Sequence, residues 1–324
     1  MLETWGHVRP VWSLCRLIRE HQIDIVYTNS VMVLEGALAA RHCRVPHIWH
    51  LKEWIGSQAR VKFWLSDPML VRFIQNLSTQ ILVMTRFIGE IFERQNMYQR
   101  IAVVNDGVNV ASFCQEPKGR VLRRELGVPD DALVVGMAAS LSSVWKQHSV
   151  FIEMAARLAD HFPHLWFVAF GPEPRRYRNP TYNQPWRYYQ GLKDQVTRLG
   201  LNNKFIWAGF HGDIPQMMDA MDILVHPCAQ EPFGRVAIEA MAAQRPVVGP
   251  NTGGIAESVV NGETGFLVPA GDVTGFADAT ARLMRDPDLR QRMGAAGRAH
   301  VAKYFSLEQH VAQISSLYNE ILKR

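Results

Sequence analysis

Glu231 and Glu239 flank a Pro-Phe-Gly sequence where a predicted buried strand, ending at His226, is followed by a predicted helix. The first backbone N–H groups of a helix have no partner within it, so a helix beginning near Gly234 can bind a phosphate at its N-terminus. Glycine lets the phosphate approach the backbone, and Glu239 could accept hydrogen bonds from ribose hydroxyls. Either glutamate alone would be an ordinary solvated residue. Together these features predict a site for a nucleoside diphosphate and the sugar it carries.

Two other segments could bind the same anion. Gly253 and Gly254 follow the next predicted strand, and without Cβ atoms they let backbone N–H groups close on an anion. Lys146, in the loop after the first strand of the second half, could reach a diphosphate as a point charge. A glycine pair alone is usually a turn, and a loop lysine can be a solvated surface charge. Their positions after predicted strands favour the binding role.

A further candidate lies in the first half of the chain. His50 and Lys52 come at the end of the predicted strand 47–50 and could face a cleft from its other side. A lone histidine is more often a structural hydrogen-bonding residue than a catalytic one. Both roles therefore stay open for His50.

Motifs of other enzyme classes are missing from the sequence. It contains no GxGxxG, GxxxxGK[ST], HExxH or GxSxG, which weighs against oxidoreductases, P-loop proteins, zinc proteases and serine hydrolases. The acidic pair Asp130-Asp131 lies in a predicted linker, and Asp219 and Asp222 flank the end of a predicted helix, so neither pair indicates a site for a divalent metal. We therefore expect no metal and no cofactor, the nucleotide sugar being a substrate.

Composition limits the class of protein. The 324 residues carry a formal net charge of +5, which suits an anionic ligand or a membrane surface but does not indicate nucleic acid. No stretch is apolar for long enough to cross a bilayer, and the first residues lack a signal-peptide pattern. Cys15, Cys43, Cys114 and Cys228 are scattered, which argues against a disulfide framework or a zinc site. The predicted location is the cytoplasm, with peripheral contact at the inner face of the membrane as a hypothesis.

These side chains must be positioned by an alternating series of strands and helices, which predicts parallel sheets with helices on both faces. Strands are predicted at 23–28, 47–50, 80–84, 100–104, 133–138, 165–170, 204–207, 223–226, 246–249 and 265–268. Helices are predicted at 11–21, 33–41, 58–70, 69–77, 87–95, 149–161, 192–199, 214–220, 234–243, 274–284, 287–300 and 307–322. A polar segment, 114–131, divides the series and is interpreted as a linker. The sequence thus predicts an α/β protein with two doubly wound, Rossmann-like domains facing a cleft, where ligands bind beyond the carboxyl ends of the strands.

The motifs together resemble glycosyltransferase family 4, the glycosyl transferases group 1, which have the GT-B fold. The family motif is a pair of glutamates in the form EPFG followed by E-AMA, and Glu231-Pro-Phe-Gly through Glu239-Ala-Met-Ala matches it. VVGMAASLSSVWKQH, FGPEP, WAGF and GGIAESVVNGETGFLVPAGD resemble other second-domain segments of the family. DIVYTNS, PHIWHLKEW and VVNDGVNVASF resemble first-domain segments less specifically. The resemblance extends over the whole chain.

The resemblance implies a retaining enzyme that moves a sugar from a UDP- or GDP-sugar to an acceptor hydroxyl, in polysaccharide or glycolipid synthesis. The acceptor would be a glycan or a lipid-linked molecule. The implied site residues are Glu231 beside the sugar hydroxyls, Glu239 at the ribose, Phe233, Gly234 and Arg235 around the diphosphate, Lys146 neutralising it, and His50 at the donor sugar. The implied domains are residues 1–112 on the acceptor side, joined by the C-terminal helix 307–324, and residues 113–306, which bind the nucleotide sugar.

Two departures from the family pattern are expected to matter. Ser140 stands where the family usually has an arginine that shares the diphosphate with the lysine, and Arg175 or Arg176 could replace it. The chain also opens on a predicted helix, without the first strand and Gly-rich loop of the family, so the first domain is expected to be shortened. These departures favour an alternative, a catalytically impaired nucleotide-sugar-binding protein or subunit. A sugar-nucleotide epimerase of the same fold is a third hypothesis.

The segment 60–64 is basic and rich in aromatic residues. Such a segment could contact a membrane face or a lipid-linked acceptor. A helix packed on its own domain is the competing interpretation.

Overall fold

The computed structural model describes residues 4–57, 59, 63–95, 101–113 and 118–323, without the side chains of residues 4–8. The chain divides into two compact units, Met1–Asp106 with Glu308–Arg324, and Gly107–Leu307. We call them the first and second units. The change of unit comes after Asp106, a few residues before the boundary expected from the sequence, and the C-terminal segment belongs to the first unit.

The first unit is built on a four-stranded parallel sheet whose strands follow one another in chain order. Its strands are β1 (Val26–Asn29), β2 (His47–Leu51), β3 (Gln80–Val83) and β4 (Ile101–Val103). Its helices are α1 (Thr4–Glu20), α2 (Glu35–Cys43), α3 (Asp67–Asn76) and α4 (Arg86–Glu93). Because right-handed crossovers between sequential neighbours place their helices on one face, α2, α3 and α4 leave the opposite face of this sheet to another element.

The second unit has a six-stranded parallel sheet in the order β10-β9-β8-β5-β6-β7. Its strands are β5 (Leu133–Ala138), β6 (Leu165–Phe170), β7 (Phe205–Gly209), β8 (Ile223–Val225), β9 (Val247–Pro250) and β10 (Gly265–Val268). Its helices are α5 (Gly119–Glu125), α6 (His148–Ala159), α7 (Gln184–Arg198), α8 (Ile214–Asp219), α9 (Arg235–Ala242), α10 (Ile255–Ser258), α11 (Val273–Arg285) and α12 (Pro287–Tyr304). If the strands are numbered from β5, the first strand of this unit, their order is that of the doubly wound Rossmann fold. Successive strands are added on one side of β5 up to β7 and on its other side from β8 onward, so the order reverses between β5 and β8.

The last helix, α13 (Leu307–Leu322), covers the open face of the first sheet. Ile314, Leu317 and Ile321 recur at helical spacing and pack against Ile48 and Leu82 of the sheet. An amphipathic helix that arrives some two hundred residues after the strands thus completes the core of the first unit.

Most predicted elements are confirmed, but three expectations about the chain are wrong. The segment 114–131 is not an irregular linker, because α5 lies within it. The helix predicted at 58–70 does not include residues 63–66, because α3 begins at Asp67, where Pro68 suits the first helical turn. Residues 58 and 60–62 of that prediction lie outside the described residues. Helix α7 begins at Gln184, well before the predicted start at 192, again with a proline in its first turn.

The helix α5 is fixed to the second sheet by Arg123. Its guanidinium donates to the carbonyl oxygens of Ala220 (2.8 Å) and Ala132 (3.2 Å) and pairs with Asp222 (2.9 Å). The Asp222 carboxylate also accepts the Val134 N–H at 2.7 Å. Both side chains of the ion pair are mostly buried, at 13% and 18% exposure. Removing Arg123 would therefore leave a largely buried carboxylate without its counter-charge.

We expect Arg123→Ala to destabilise the second unit by roughly 2–4 kcal/mol, or roughly 4–16 °C in the unfolding midpoint, measured by differential scanning calorimetry. Arg124→Ala is the matched control, because its pair with Asp130 is exposed (67% and 68%) and surface pairs stabilise little. Equal shifts for the two variants would contradict the anchoring role of Arg123.

Candidate functional site at the switch point of the second sheet

The loops after β5 and β8 leave the carboxyl edge of the second sheet from adjacent strands. The loop after β5 carries Lys146 at the end of a 3-10 turn, Val144–Lys146, and the loop after β8 carries Glu231. Because the strand order reverses between these two strands, their loops diverge and leave a crevice. Ligands of open α/β sheets bind in such crevices.

Lys146 and Glu231 meet in this crevice. The Lys146 Nζ lies 2.5 Å from Glu231 Oε2, and the same carboxylate oxygen lies 2.9 Å from His226 Nε2. The lysine and glutamate side chains are 15% and 12% exposed, and His226 is fully buried. The three groups therefore form a nearly dry, mutually compensating charge cluster, which we call the Lys146 cluster.

The cluster determines the ionisation of its carboxyl group. Burial by itself raises the pKa of Glu231, but the hydrogen bond and charge of His226 and the ammonium of Lys146 outweigh it and lower the pKa to about 2. Glu231 is therefore a carboxylate at neutral pH and can only accept hydrogen bonds. The Lys146 ammonium also lies 3.9 Å from the centre of the Trp145 ring, so an aromatic face and a carboxylate hold it from two sides.

Among the described residues, His226, Cys228 and Glu231 form one group with the atom types of a metal site, their ligand atoms lying within 4.8 Å of one another. Burial, followed by the charge of Glu231, raises the pKa of the Cys228 thiol to about 12, so it is protonated at neutral pH and a poor metal ligand. The Glu231 oxygen is already shared by Lys146 and His226. These residues are therefore better suited to neutralising the Lys146 ammonium than to binding a divalent metal.

Helix α9 begins beside the cluster. Its N-cap residue, Gly234, has φ +83°, and a Cβ there would come within 2.2 Å of Ile255, so only glycine fits this turn. Glu239 is 13% exposed, and the Arg235 Nε donates to it at 2.9 Å. Burial raises the pKa of the Glu239 carboxyl, and Arg235 opposes that shift. The first two turns of the helix thus combine a free N-terminus, the mostly buried carboxylate of Glu239 and the exposed guanidinium of Arg235.

The sequence-predicted residues Phe233, Gly253 and Gly254 lie next to this turn in a packing role. The Phe233 side chain is buried and its ring centre lies 6.1 Å from that of Phe305. A Cβ on Gly254 would come within 2.4 Å of the Phe233 backbone, and the Gly254 N–H donates to the Glu231 carbonyl oxygen at 2.8 Å. That N–H is therefore already used. The glycines hold the Glu231 loop close to the turn after β9.

His50 lies in the first unit, at the end of β2, and is 1% exposed. Its Nδ1 is 2.5 Å from the Tyr27 hydroxyl, and the ring of His310, from α13, stacks on it with centres 6.5 Å apart. Burial, then the charge of Lys52, lowers the pKa of His50 to about 3, so the imidazole is neutral. Lys52 pairs with Asp106 and is not a free cation.

Ser140 bonds within its own loop, its hydroxyl lying 2.8 Å from that of Ser142. The guanidinium of Arg176 lies 4.8 Å from the centre of the Trp186 ring. No arginine of the described residues forms an ion pair with Glu231. The expected replacement for the missing arginine is therefore not seen in the cluster.

Two members of the site were missed by sequence reasoning. They are His226, whose ring bonds to Glu231, and Trp145, whose ring lies against the Lys146 ammonium. The signal was position: His226 directly follows the strand at which the sheet order reverses, and Trp145 is adjacent to the candidate lysine. Neither residue type alone indicates such a role.

Outside the site, Trp64 is 90% exposed, whereas Arg60, Val61 and Lys62 of the same basic segment lie outside the described residues. Cys15, Cys43 and Cys228 are free thiols, and Cys114 is outside the described residues. None of the described helices combines the length and the apolar character required to cross a bilayer.

Two curated enzymes illustrate the similarity of this chain to known proteins. D-inositol 3-phosphate glycosyltransferase of Corynebacterium urealyticum is 30% identical over 229 residues, 68% of this chain and 51% of that protein. N-acetyl-alpha-D-glucosaminyl L-malate synthase of Bacillus anthracis is 24% identical over 298 residues, 87% of this chain and 74% of that protein. The chain thus spans about half the length of the first relative and about three quarters of the second.

Solved structures agree. The Anabaena Alr3699/HepE structure in complex with UDP and glucose matches with a TM-score of 0.82 and 26% identity, covering 96% of this chain and 81% of that one. A glycosyltransferase from Rickettsia africae matches with a TM-score of 0.85 and 22% identity, covering 99% and 82%, and supports the fold alone. The fold class is therefore GT-B, with two parallel sheets.

Two family patterns match the sequence. The glycosyl transferase 4-like domain matches residues 2–107, which correspond closely to the first unit without its last helix. The glycosyl transferases group 1 pattern matches residues 120–300, which include the whole Lys146 cluster and α9. Since that match covers more than half of the chain, the chain belongs to the family of glycosyl transferases group 1.

Proposed function

We propose that this protein is a retaining glycosyltransferase that moves a sugar from a UDP-sugar to an acceptor hydroxyl. The observation that carries the proposal is the meeting of Lys146 and Glu231 at the switch point, next to the N-terminus of α9. A nucleoside diphosphate needs a compact positive site, and a lysine together with the free N–H groups of a helix supplies one. The bound UDP of the Alr3699/HepE structures supports uracil as the donor base.

Donor binding would exchange one partner of Lys146 for another. In the free protein its ammonium is neutralised by Glu231. A diphosphate at the N-terminus of α9 competes for that ammonium, and the released carboxylate then accepts hydrogen bonds from hydroxyls of the donor sugar. Glu239 accepts hydrogen bonds from the ribose, and Phe233, Gly253 and Gly254 hold the loop that presents Glu231.

The chemical step breaks the bond between the anomeric carbon and the diphosphate oxygen. Negative charge grows on that oxygen, and Lys146 and the α9 N-terminus stabilise it there. We propose that the acceptor hydroxyl enters on the face that the diphosphate leaves and gives its proton to the departing phosphate, so the configuration is retained. Glu231 and Lys146 are the residues of the second unit proposed to act in this step.

His50 is the proposed contact to the donor sugar from the first unit. Because burial raises the pKa of the Tyr27 phenol well above its usual range, the hydroxyl stays protonated and donates to His50 Nδ1. The neutral ring then carries its own proton on Nε2. This arrangement supports a role for His50 as a hydrogen-bond donor rather than as a base.

Lys146 predicts a specific loss of affinity. We expect Lys146→Gln to weaken UDP binding roughly ten- to a hundredfold, because a hydrogen bond to a charged group contributes roughly 1.5–3 kcal/mol, measured by isothermal titration calorimetry. Lys303→Gln is the control, since Lys303 is exposed on α12 and the substitution removes the same charge. Unchanged affinity in Lys146→Gln, with the unfolding midpoint preserved, would count against the proposed diphosphate site.

A second candidate is a nucleotide-sugar-binding protein without transferase activity, which is favoured by Ser140 at the position where the family usually has an arginine. A turnover assay distinguishes the two candidates. UDP-glucose and UDP-N-acetylglucosamine are incubated in EDTA with inositol 3-phosphate, malate and neutral oligosaccharides as acceptors. We expect UDP release with an α-linked product by NMR, undiminished by EDTA because Lys146 supplies the positive charge. Donor binding without release, for every acceptor and with magnesium restored, would favour the second candidate. A β-linked product would refute retention.

A further inference from the structure

The loop between β6 and α7 forms a separate pocket in the second unit. The pocket has a volume of about 510 Å³ and is lined by Arg176, Tyr177, Arg178, Asn183, Trp186 and Arg187. Volumes of this size are typical of small-ligand sites. None of the lining residues belongs to the Lys146 cluster.

The pocket is strongly basic. The three lining arginines, Arg176, Arg178 and Arg187, are exposed, and within the described part of the chain no carboxylate forms an ion pair with any of them. Only one acidic residue, Glu173, occurs between β6 and α7. Several guanidiniums around one cavity repel one another, and an anion in the cavity relieves that repulsion while receiving fork-shaped, two-point hydrogen bonds.

Hydrogen bonds and aromatic contacts hold several of the lining residues in place. The Asn183 side chain is 8% exposed; it accepts the Tyr177 N–H at 2.7 Å and donates to the Tyr177 carbonyl oxygen at 2.8 Å. These two bonds close the loop on itself. The Arg176 guanidinium stacks over Trp186 at 4.8 Å from the ring centre, and Tyr177 packs edge-on to Tyr182 at 6.3 Å.

We propose that this pocket binds an acidic saccharide. A sugar ring bearing a carboxylate combines an anionic group for the guanidiniums with an apolar C–H face suited to packing on an aromatic side chain. A saccharide is favoured over a membrane surface, since membrane contact requires protruding apolar side chains and the exposed Tyr177 and Tyr182 pack on each other. Because β6 is adjacent to β5, a glycan held here lies at the carboxyl edge of the sheet that also carries Lys146.

The test uses the full-length protein and tetragalacturonate, with neutral maltotetraose as the comparison ligand, in isothermal titration calorimetry. We expect tetragalacturonate to bind and maltotetraose not to bind. The variant Arg178→Gln/Arg187→Gln should weaken tetragalacturonate binding at least tenfold. Arg198→Gln/Arg292→Gln, which removes two exposed arginines of the same unit outside the pocket, should leave it unchanged.

Several results would overturn the proposal. Equal weakening in both double variants would mean attraction by net charge alone. Inorganic phosphate binding as tightly as tetragalacturonate would mean an anion site without a saccharide. Phosphatidylglycerol vesicles bound through Arg178 and Arg187, with no tetragalacturonate binding, would make this face a membrane contact. UDP affinity is measured on the same variants and should not change, so failure here is distinguishable from failure of the donor site.

Discussion

The ion pair between Lys146 and Glu231 is the interaction on which the candidate site of this protein depends. Its two members are 85 positions apart in the chain and come from loops after different strands. They meet only because the sheet order places β5 beside β8. Burying two charges is unfavourable unless each is compensated, and here His226 and Trp145 complete the compensation. The same buried, polar arrangement suits a ligand that can take over one partner.

The first unit depends on the packing of the last helix against its sheet. Its sequential strand order leaves one sheet face open, and α13 covers that face with an apolar stripe. The same helix brings His310 onto the ring of His50, and the Tyr27 hydroxyl lies at the Nδ1 of that ring. Packing and hydrogen bonding therefore fix the orientation of the His50 ring, although the residues involved come from both ends of the chain.

The sequence could predict most of the fold because strand and helix periodicities alternate clearly in both halves. It could also predict that Glu231, Lys146 and the glycine-rich turns lie at the carboxyl edge of the second sheet, since each follows a predicted strand. It could not predict that Gly254 uses its N–H on the Glu231 carbonyl oxygen, or that Phe233 is buried against Phe305, because both depend on neighbours distant in the chain. Helix α5 was missed because its polar sequence is anchored by tertiary contacts of Arg123 rather than by an apolar stripe.

The most direct measurement is a crystal structure with UDP bound. The proposed donor site requires the β-phosphate to lie at the N-terminus of α9, within hydrogen-bond distance of the Lys146 Nζ, and Lys146 to be farther from Glu231 than the 2.5 Å of the free protein. A nucleotide bound elsewhere, with Lys146 still paired to Glu231, would contradict it.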